Sequence, residues 1–335
     1  MKAAILQGHG DREQIVYREV PDPEIAAHEV LLAVKSTAVN FHDIFTRRGM
    51  PGITIEFPLI TGSDIAGEVR EVGAAVDGWT AGDRVLVDPV DRESDRPSMM
   101  GETSPGGRAE LLAVPVAQLI RIPDNVGFEV AASLPLAYGS ANRMMVTRGG
   151  IKAGEKVLVL GASGGVGTAC VLLAKRAGCE VIACASSDEK LARLGDFGAD
   201  HLINYRESDF REEIYRICGK PRVRGGGGVD LVVNFTGGDT WAESLKCITK
   251  GGRLVTCGAT AGFDPKTDLR YIWTFEQNIL GSDGWTRRDL EELLGHVSQG
   301  TLVPAIDVIM PLSDVREAER LLEDREVFGK VVLVP

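Results

Sequence analysis

The residues that most directly suggest chemistry form a glycine-rich turn between an apolar strand and an apolar helix. The strand at 156–160 runs into the segment 161–167, which reads GASGGVG. Its glycines let a pyrophosphate approach the backbone, and the N–H groups at the start of the helix face the negative charge. Ala162 replaces the first glycine of the usual fingerprint. The strand before, the helix after and a second strand about 20 residues later nevertheless favour a dinucleotide-binding site. The expected contacts are Ser163, Gly164, Gly165 and Val166.

The residues that follow the second strand predict which dinucleotide binds. An NAD site usually has Asp or Glu at the end of this strand, where the acid holds the ribose hydroxyls. This chain has Ala185 there, followed by Ser186, Ser187 and then Lys190. Two hydroxyls and an ammonium suit a 2′-phosphate, so the pattern predicts NADP, used as NADPH. The alternative interpretation is that Ser186, Ser187 and Asp188 only cap the next helix and that Lys190 is solvated.

The order of segments around this turn predicts two kinds of architecture. Residues 1–125 contain short apolar strands separated by Gly, Pro and Asp turns, a pattern typical of a small β-barrel or sandwich. After a helical stretch at 128–148, strands and helices alternate, which predicts crossover connections and a parallel sheet. Thr286 and Asp289 have the spacing of a capping box at the start of a later helix. The closing strand, 329–334, has no helix after it and is expected to rejoin the N-terminal barrel.

Composition narrows the class of protein further. The 335 residues fit two domains, and the formal net charge of -11 disfavours nucleic acid and anionic membranes as partners. No apolar run approaches the ~18 residues of a membrane span, and the N-terminus lacks a signal-peptide pattern, so we expect a cytoplasmic protein. All six cysteines lie beyond residue 169 and none forms a C-x-x-C pair. We therefore expect buried thiols rather than disulfides or a zinc ribbon.

Several motifs spread along the chain point to one family. They are NFHDIFTRRG at 40–49, GSDIAGEV at 62–69, GGRAE at 106–110, GGRLV at 251–255 and FGKVVL at 328–333, together with the glycine-rich turn. With these motifs the chain resembles the medium-chain dehydrogenase/reductase superfamily nearly end to end, in particular its quinone-oxidoreductase-like branch and its alcohol-dehydrogenase-like members that lack zinc. The resemblance implies an α/β fold. A GroES-like β-barrel catalytic domain, 1–126 and 283–335, would be interrupted by a Rossmann domain with a doubly wound parallel sheet, 127–282.

The resemblance also predicts that the chain holds no metal. Zinc-dependent members carry Cys where this chain has Asn40, and Gly-His-Glu where it has Gly62-Ser63-Asp64. Their third ligand, a Cys, would fall near 135–138, and their structural zinc needs four cysteines at about 88–101. This chain has no cysteine in either segment. Without a thiolate, a tetrahedral site of nitrogen and sulfur ligands cannot be assembled there, so we predict that no zinc binds.

Residue by residue, the resemblance implies further contacts for the dinucleotide. Tyr205 would sit by the adenosine 2′-phosphate, and Lys330 would approach either the cofactor or Asn40. Two alternatives explain these positions equally well: Phe235 would pack in the core, and Lys330 would be exposed at the end of a strand. The full set of implied contacts is Asn40, Ser140, Met144, Tyr205, Phe235, Gly258, Ala259, Leu280, Gly281, Ser282 and Lys330.

The predicted reaction follows from the missing metal. Without a metal to polarise a carbonyl, hydride must go to an acceptor that is already electrophilic, such as a quinone or an α,β-unsaturated carbonyl. Asn40, His42 and Tyr138 are the catalytic candidates, with His42 or Tyr138 as proton donor, although a structural role suits His42 equally. The alternatives are an alcohol or aldehyde dehydrogenase of the zinc-type lineage and a non-catalytic NADPH-binding protein. The expected partners are a small electrophilic substrate and, through an edge strand at about 275–281, a second copy in a homodimer.

Overall fold

A computed structural model describes residues 1–92 and 98–335 and divides them into two units. One unit is discontinuous and contains Met1–Ala137 and Leu290–Pro335, whereas Tyr138–Asp289 form an inserted unit. Both boundaries lie somewhat C-terminal to those expected from the sequence, which were 126/127 and 282/283. Part of the cysteine-free segment at 88–101 lies outside the described residues. Every helix that the structure describes is too short or too polar to span a lipid bilayer.

The helices and strands are numbered here in chain order. The first part of the discontinuous unit contains β1 (Lys2–Leu6), β2 (Ile15–Glu19), β3 (Glu29–Val39), α1 (Phe41–Arg48), β4 (Leu59–Ile60), β5 (Asp64–Val72), β6 (Arg84–Val87), β7 (Val90–Asp91), β8 (Ser98–Met99), β9 (Leu111–Pro115), β10 (Leu119–Arg121) and α2 (Phe128–Ala132). The inserted unit contains α3 (Ser140–Asn142), β11 (Lys156–Val159), α4 (Gly165–Arg176), β12 (Glu180–Ala185), α5 (Asp188–Asp196), β13 (His201–Asn204), α6 (Phe210–Cys218), β14 (Val229–Val233), α7 (Thr240–Cys247), β15 (Ile248–Thr256), α8 (Leu269–Thr274) and β16 (Asn278–Gly281). The chain continues with α9 (Arg287–Ser298), β17 (Ile306–Pro311), α10 (Val315–Glu323) and β18 (Lys330–Val334). Short 3-10 helices cover Arg12–Gln14, Val116–Gln118 and Leu312–Asp314, and π-helical turns cover Leu134–Gly139 and Arg143–Arg148.

The discontinuous unit is built on the long strand β3, which hydrogen-bonds to three neighbours. It pairs antiparallel with β5, β9 and β18 in a seven-stranded sheet whose main order is β10-β6-β5-β3-β18-β17. Apolar side chains of these strands, among them Val30, Ile65 and Val85, are buried in a common core. The register places Val331 opposite Val39, so the closing strand rejoins the N-terminal barrel as the sequence predicts.

The inserted unit contains a six-stranded sheet in which every neighbouring pair of strands is parallel. Its order, β13-β12-β11-β14-β15-β16, is that of a Rossmann fold and confirms the predicted doubly wound sheet. Apolar residues predominate in β11, β12 and β14, and Leu158, Ile182, Val232 and Leu254 are fully buried, as expected of a sheet covered on both faces. Because parallel strands end at the same edge, the loops after all six strands lie along one carboxyl edge, where ligands of this fold bind.

Candidate active site

The glycine-rich turn connects β11 to α4 at the carboxyl edge of the inserted unit. Gly161 has φ +63°, and a Cβ at Gly167 would lie 2.2 Å from the Gly161 carbonyl oxygen, so both positions require glycine. The N-cap residue of α4 is Gly164, which has no side chain to cap the first N–H groups of the helix. Open N–H groups with no Cβ in front of them fit a pyrophosphate. The four predicted contacts in this turn are all partly exposed: Ser163, Gly164, Gly165 and Val166.

The segment predicted to recognise the 2′-phosphate lies where β12 ends beside the loop after β13. Tyr205 N donates to Ala185 O at 3.2 Å, so Tyr205, which is exposed, adjoins the end of β12. Ser187 Oγ accepts from Lys190 N at 3.4 Å and caps α5, as the alternative interpretation of this segment requires. The nearest acid, Asp188, accepts a hydrogen bond at 3.0 Å from the side-chain amide of Asn204, the last residue of β13. The structure therefore places Tyr205 and the cap of α5 beside the end of β12, and the assignment of this segment to the 2′-phosphate stays a prediction.

The loops after β15 and β16 line a groove of about 500 Å³ in the inserted unit. The predicted contacts Gly258, Gly281 and Ser282 share this groove with Arg143 and Arg148. Ser282 Oγ is buried and makes no hydrogen bond with the described residues. Since the second half of a Rossmann sheet binds the second mononucleotide, the groove fits the nicotinamide half of a dinucleotide.

The other predicted residues of the inserted unit differ in exposure. Phe235 lies against the glycine-rich turn, because a Cβ at Gly161 would be 3.4 Å from its ring. Tyr138 is 0% exposed, so its hydroxyl is shielded from solvent in this conformation. Among these predicted residues, three are buried, namely Tyr138, Ser140 and Met144. Phe235 and Leu280 are partly buried, and Ala259 is exposed.

In the discontinuous unit, three buried polar side chains meet near β3, β5 and β18. Lys330 Nζ contacts Asp64 Oδ2 at 2.9 Å, Val39 O at 3.2 Å and the side-chain oxygen of Asn40. Asn40 Nδ2 donates to the same Asp64 oxygen at 2.9 Å, and the other Asp64 oxygen accepts from Leu136 N at 2.8 Å. The lysine side chain is 2% exposed and the aspartate 0%, so each charge depends on the other. Lys330 therefore lies beside Asn40, one of the two contacts that the family resemblance implies, and not at an exposed strand end.

A larger buried network fixes the start of α1. Asp43 Oδ2 accepts from Asn40 N at 2.8 Å, which caps the helix, and lies 2.9 Å from Arg108 Nη2. Arg108 donates to Glu319 at 2.6 Å, and Glu319 also accepts from Arg47 Nε at 2.8 Å. Burial raises the pKa of the Asp43 carboxyl, and the charge of Arg108 opposes that shift. The helix that carries the imidazole candidate is therefore held by charges from distant parts of the sequence.

His42, on the first turn of α1, faces the carboxylate of Glu102. His42 Nε2 lies 3.1 Å from Glu102 Oε1, and the two side chains are 22% and 11% exposed. Burial lowers the pKa of His42, but the Glu102 contact and the charges of Asp43 and Asp64 outweigh it, so the pKa is raised above 6.5. An imidazolium in these surroundings can donate a proton near neutral pH.

Sequence reasoning did not assign Glu102 or Arg108 to the site, although Arg108 lies in the GGRAE motif that carries the family resemblance. Both lie in the segment 100–110, which reads MGETSPGGRAE. A Cβ at Gly106 would lie 2.3 Å from Gly62 O, so the glycines of this segment mark a close backbone approach that could have drawn attention to it. Within residues 1–92 and 98–335, no group of three or more His, Cys, Asp or Glu could hold a metal. The absence of zinc stays a prediction.

A dinucleotide turn in a Rossmann sheet, inserted into a GroES-like barrel, defines a dehydrogenase-type oxidoreductase. The family models agree: that of the alcohol dehydrogenase GroES-like domain matches residues 26–124, and that of the zinc-binding dehydrogenase matches 165–299. An acryloyl-coenzyme A reductase from Metallosphaera sedula is 31% identical over 99% of this chain and 99% of its own length. The chain belongs to the medium-chain dehydrogenase/reductase superfamily, as its motifs predict.

Two solved structures show how widely activities vary on this fold. A crystal structure described as an NAD-dependent alcohol dehydrogenase is 34% identical, covers 100% of both chains and has a TM-score of 0.93. The 2-octenoyl-CoA carboxylase reductase CinF, solved with NADP and 2-octenoyl-CoA, is 28% identical over 99% of this chain and 87% of its own, with a TM-score of 0.86. Fold alone therefore does not choose between an alcohol and an enoyl thioester as substrate.

Proposed function

We propose that this protein is a zinc-independent, NADPH-dependent reductase of α,β-unsaturated carbonyls, with enoyl thioesters of coenzyme A as its substrate class. The observation that carries the proposal is the pairing of Lys330 with Asp64 and Asn40, together with the His42–Glu102 pair. These residues supply an internal cation and a proton donor without thiolate ligands. The acryloyl-coenzyme A reductase, similar over almost its whole length, supports the choice of a thioester.

The inserted unit would hold NADPH, which supplies a hydride when bound. The N–H groups at the start of α4 would bind the pyrophosphate, and the groove after β15 and β16 would take the nicotinamide half. Ser186, Lys190 and Tyr205 would bind the 2′-phosphate. Charged hydrogen bonds to phosphate are among the stronger polar contacts, so this segment would decide the choice between NADPH and NADH.

The chemistry of the substrate explains why this donor set suffices. An α,β-unsaturated carbonyl accepts hydride at its β-carbon because the arriving charge delocalises onto the carbonyl oxygen, so the reaction does not require a Lewis acid. His42 would donate a proton to the resulting enolate. Asn40, whose amide is engaged by Lys330 and Asp64, would position the start of α1 rather than move a proton.

The test is NADPH oxidation with crotonyl-CoA, acryloyl-CoA, benzoquinone and a simple aldehyde as separate acceptors. We expect turnover with the enoyl thioesters, unaffected by chelators. His42→Gln should lower kcat by about 100-fold, the usual contribution of a general acid, with little change in the KM for NADPH. Turnover of benzoquinone alone would make the protein a quinone reductase, and tight NADPH binding without any turnover would make it a non-catalytic binding protein.

A second candidate, an NAD-linked alcohol dehydrogenase, is favoured by the similarity to the NAD-dependent alcohol dehydrogenase structure. It predicts reduction of NAD by primary and secondary alcohols, and stimulation of that activity by added zinc. The segment at the end of β12 argues against it, because β12 ends in Ala185 rather than in an acid, and the nearest acid, Asp188, already accepts a hydrogen bond from Asn204. Alcohol oxidation faster than enoyl-CoA reduction would establish this candidate in place of the first.

A further inference from the structure

The contact between His42 and Glu102 distinguishes the two nitrogens of the imidazole. Nε2 lies 3.1 Å from Glu102 Oε1, at ion-pair distance rather than in a well-aligned hydrogen bond, and is shielded from solvent. A carboxylate can only accept, so it favours a hydrogen on the nitrogen that faces it. In neutral His42 the hydrogen then resides on Nε2, and Nδ1 carries the lone pair. In the imidazolium, Nδ1–H is the bond that does not face Glu102.

The other carboxylates around His42 already have cations of their own. Asp43, on the same helix, lies 2.9 Å from Arg108, and Asp64, on β5, lies 2.9 Å from Lys330. Glu102, on the turn after β8, instead has the imidazole as its cationic partner. Charge pairing in this unit therefore assigns Glu102 to His42, whereas the two aspartates act on the imidazole only through their residual field.

We propose that Glu102 is a positioning residue for His42, which keeps a hydrogen on Nε2 and makes Nδ1 the atom that gives its proton to the substrate. This inference rests on the proposed function. After hydride addition to the β-carbon, the enolate electron pair takes the proton and forms a C–H bond at the α-carbon. The Nδ1–H bond breaks, its electron pair stays on Nδ1, and water restores the proton in the next cycle.

The substitution Glu102→Gln tests the inference, because it keeps the size of the side chain and removes its charge. Protonated His42 is the active form, so kcat falls as pH rises through the pKa of His42. Without Glu102 that pKa decreases, and the alkaline limb of the kcat profile should move to lower pH by about one unit, equivalent to tenfold lower kcat above the pKa. The KM for NADPH should stay within about twofold.

The chain contains a matched control for this substitution. His201 Nε2 lies 2.8 Å from Glu180 Oε1 in a second His–Glu pair, which is more exposed and belongs to the inserted unit. Glu180→Gln should leave the kcat profile unchanged. An unchanged profile in Glu102→Gln as well would overturn the positioning role, and equal shifts in both variants would do the same.

A spectroscopic measurement separates failure of this inference from failure of the proposed function. Nitrogen-15 labelling of histidine, with His42→Gln to assign the signals, reports the tautomer and the pKa of His42 without any substrate. We expect the Nε2–H tautomer in the wild-type protein and a lower pKa in Glu102→Gln. An Nδ1–H tautomer would refute the inference whatever the activity, whereas the expected tautomer in a protein inactive on every enoyl thioester would refute the proposed function alone.

Discussion

Replacing Lys330 by Met should destabilise the protein strongly, because the substitution leaves a buried anion without its cation. Lys330 Nζ is bound by Asp64, Asn40 and the Val39 carbonyl, and neither charged side chain is more than 2% exposed. Removal of one partner of a buried ion pair costs about 3–5 kcal/mol. Urea unfolding followed by circular dichroism measures the change.

The double variant Lys330→Met with Asp64→Asn tests the origin of that loss. It removes both charges and keeps both side chains close to their original size, so it should recover most of the lost free energy of unfolding, to within about 2 kcal/mol of the wild type. Lys35→Met, at an exposed position of β3, is the control and should change stability by less than about 0.5 kcal/mol. A double variant no more stable than Lys330→Met would show that the pair is not what stabilises this region.

Three further predictions concern ligands and assembly. The apoprotein should bind NADPH at least tenfold more tightly than NADH, because a charged contact to phosphate is worth about 1.5–3 kcal/mol. Lys190→Met should remove most of that preference. Equal affinities of the wild-type protein in a fluorescence titration would contradict the 2′-phosphate assignment. Elemental analysis should give well under one zinc per chain, and a full equivalent would overturn the argument from missing thiolates. Light scattering after gel filtration should give about twice the 35.9 kDa chain mass, because β16 is the outer strand of its sheet and can pair with a second copy. The mass of a single chain would show that the edge is covered in another way.

Local sequence pattern was sufficient for many of the regular elements. The strands Glu180–Ala185 and Val229–Val233 begin and end where their apolar runs meet turn residues. The capping box is also present, because Asp289 N donates to Thr286 Oγ1 at 3.3 Å while Thr286 N donates to Asp289 Oδ2 at 2.7 Å. Within the helical stretch 128–148, however, two π-helical turns interrupt the helix. Apolar spacing does not reveal them because a single π-turn shifts the helical phase by only one residue.

The buried charges of the discontinuous unit were harder to predict, since their partners are far apart in the sequence. Arg108 and Glu319 are separated by 211 residues, and Asp64 and Lys330 by 266. No periodicity links such positions, and each residue alone is indistinguishable from a solvated surface charge. Family resemblance suggested the contact of Lys330 with Asn40, but the pairing of Glu102 with His42 follows only from the folded structure.

The division of one unit into two stretches of sequence also determines when its parts can meet during synthesis. Asp64 is made 266 residues before Lys330, an interval of roughly 13–50 s at about 5–20 residues per second. The inserted unit, Tyr138–Asp289, is contiguous and can fold within that interval, whereas β3 still lacks β18 beside it. When synthesis has passed Asp289 but not reached Lys330, the parallel sheet of the inserted unit is complete. In the discontinuous unit, β3 then has an unpaired edge and Asp64 lacks its cation. Until β18 is made, the discontinuous unit, and not the inserted unit, therefore presents the unpaired strand edge that favours aggregation.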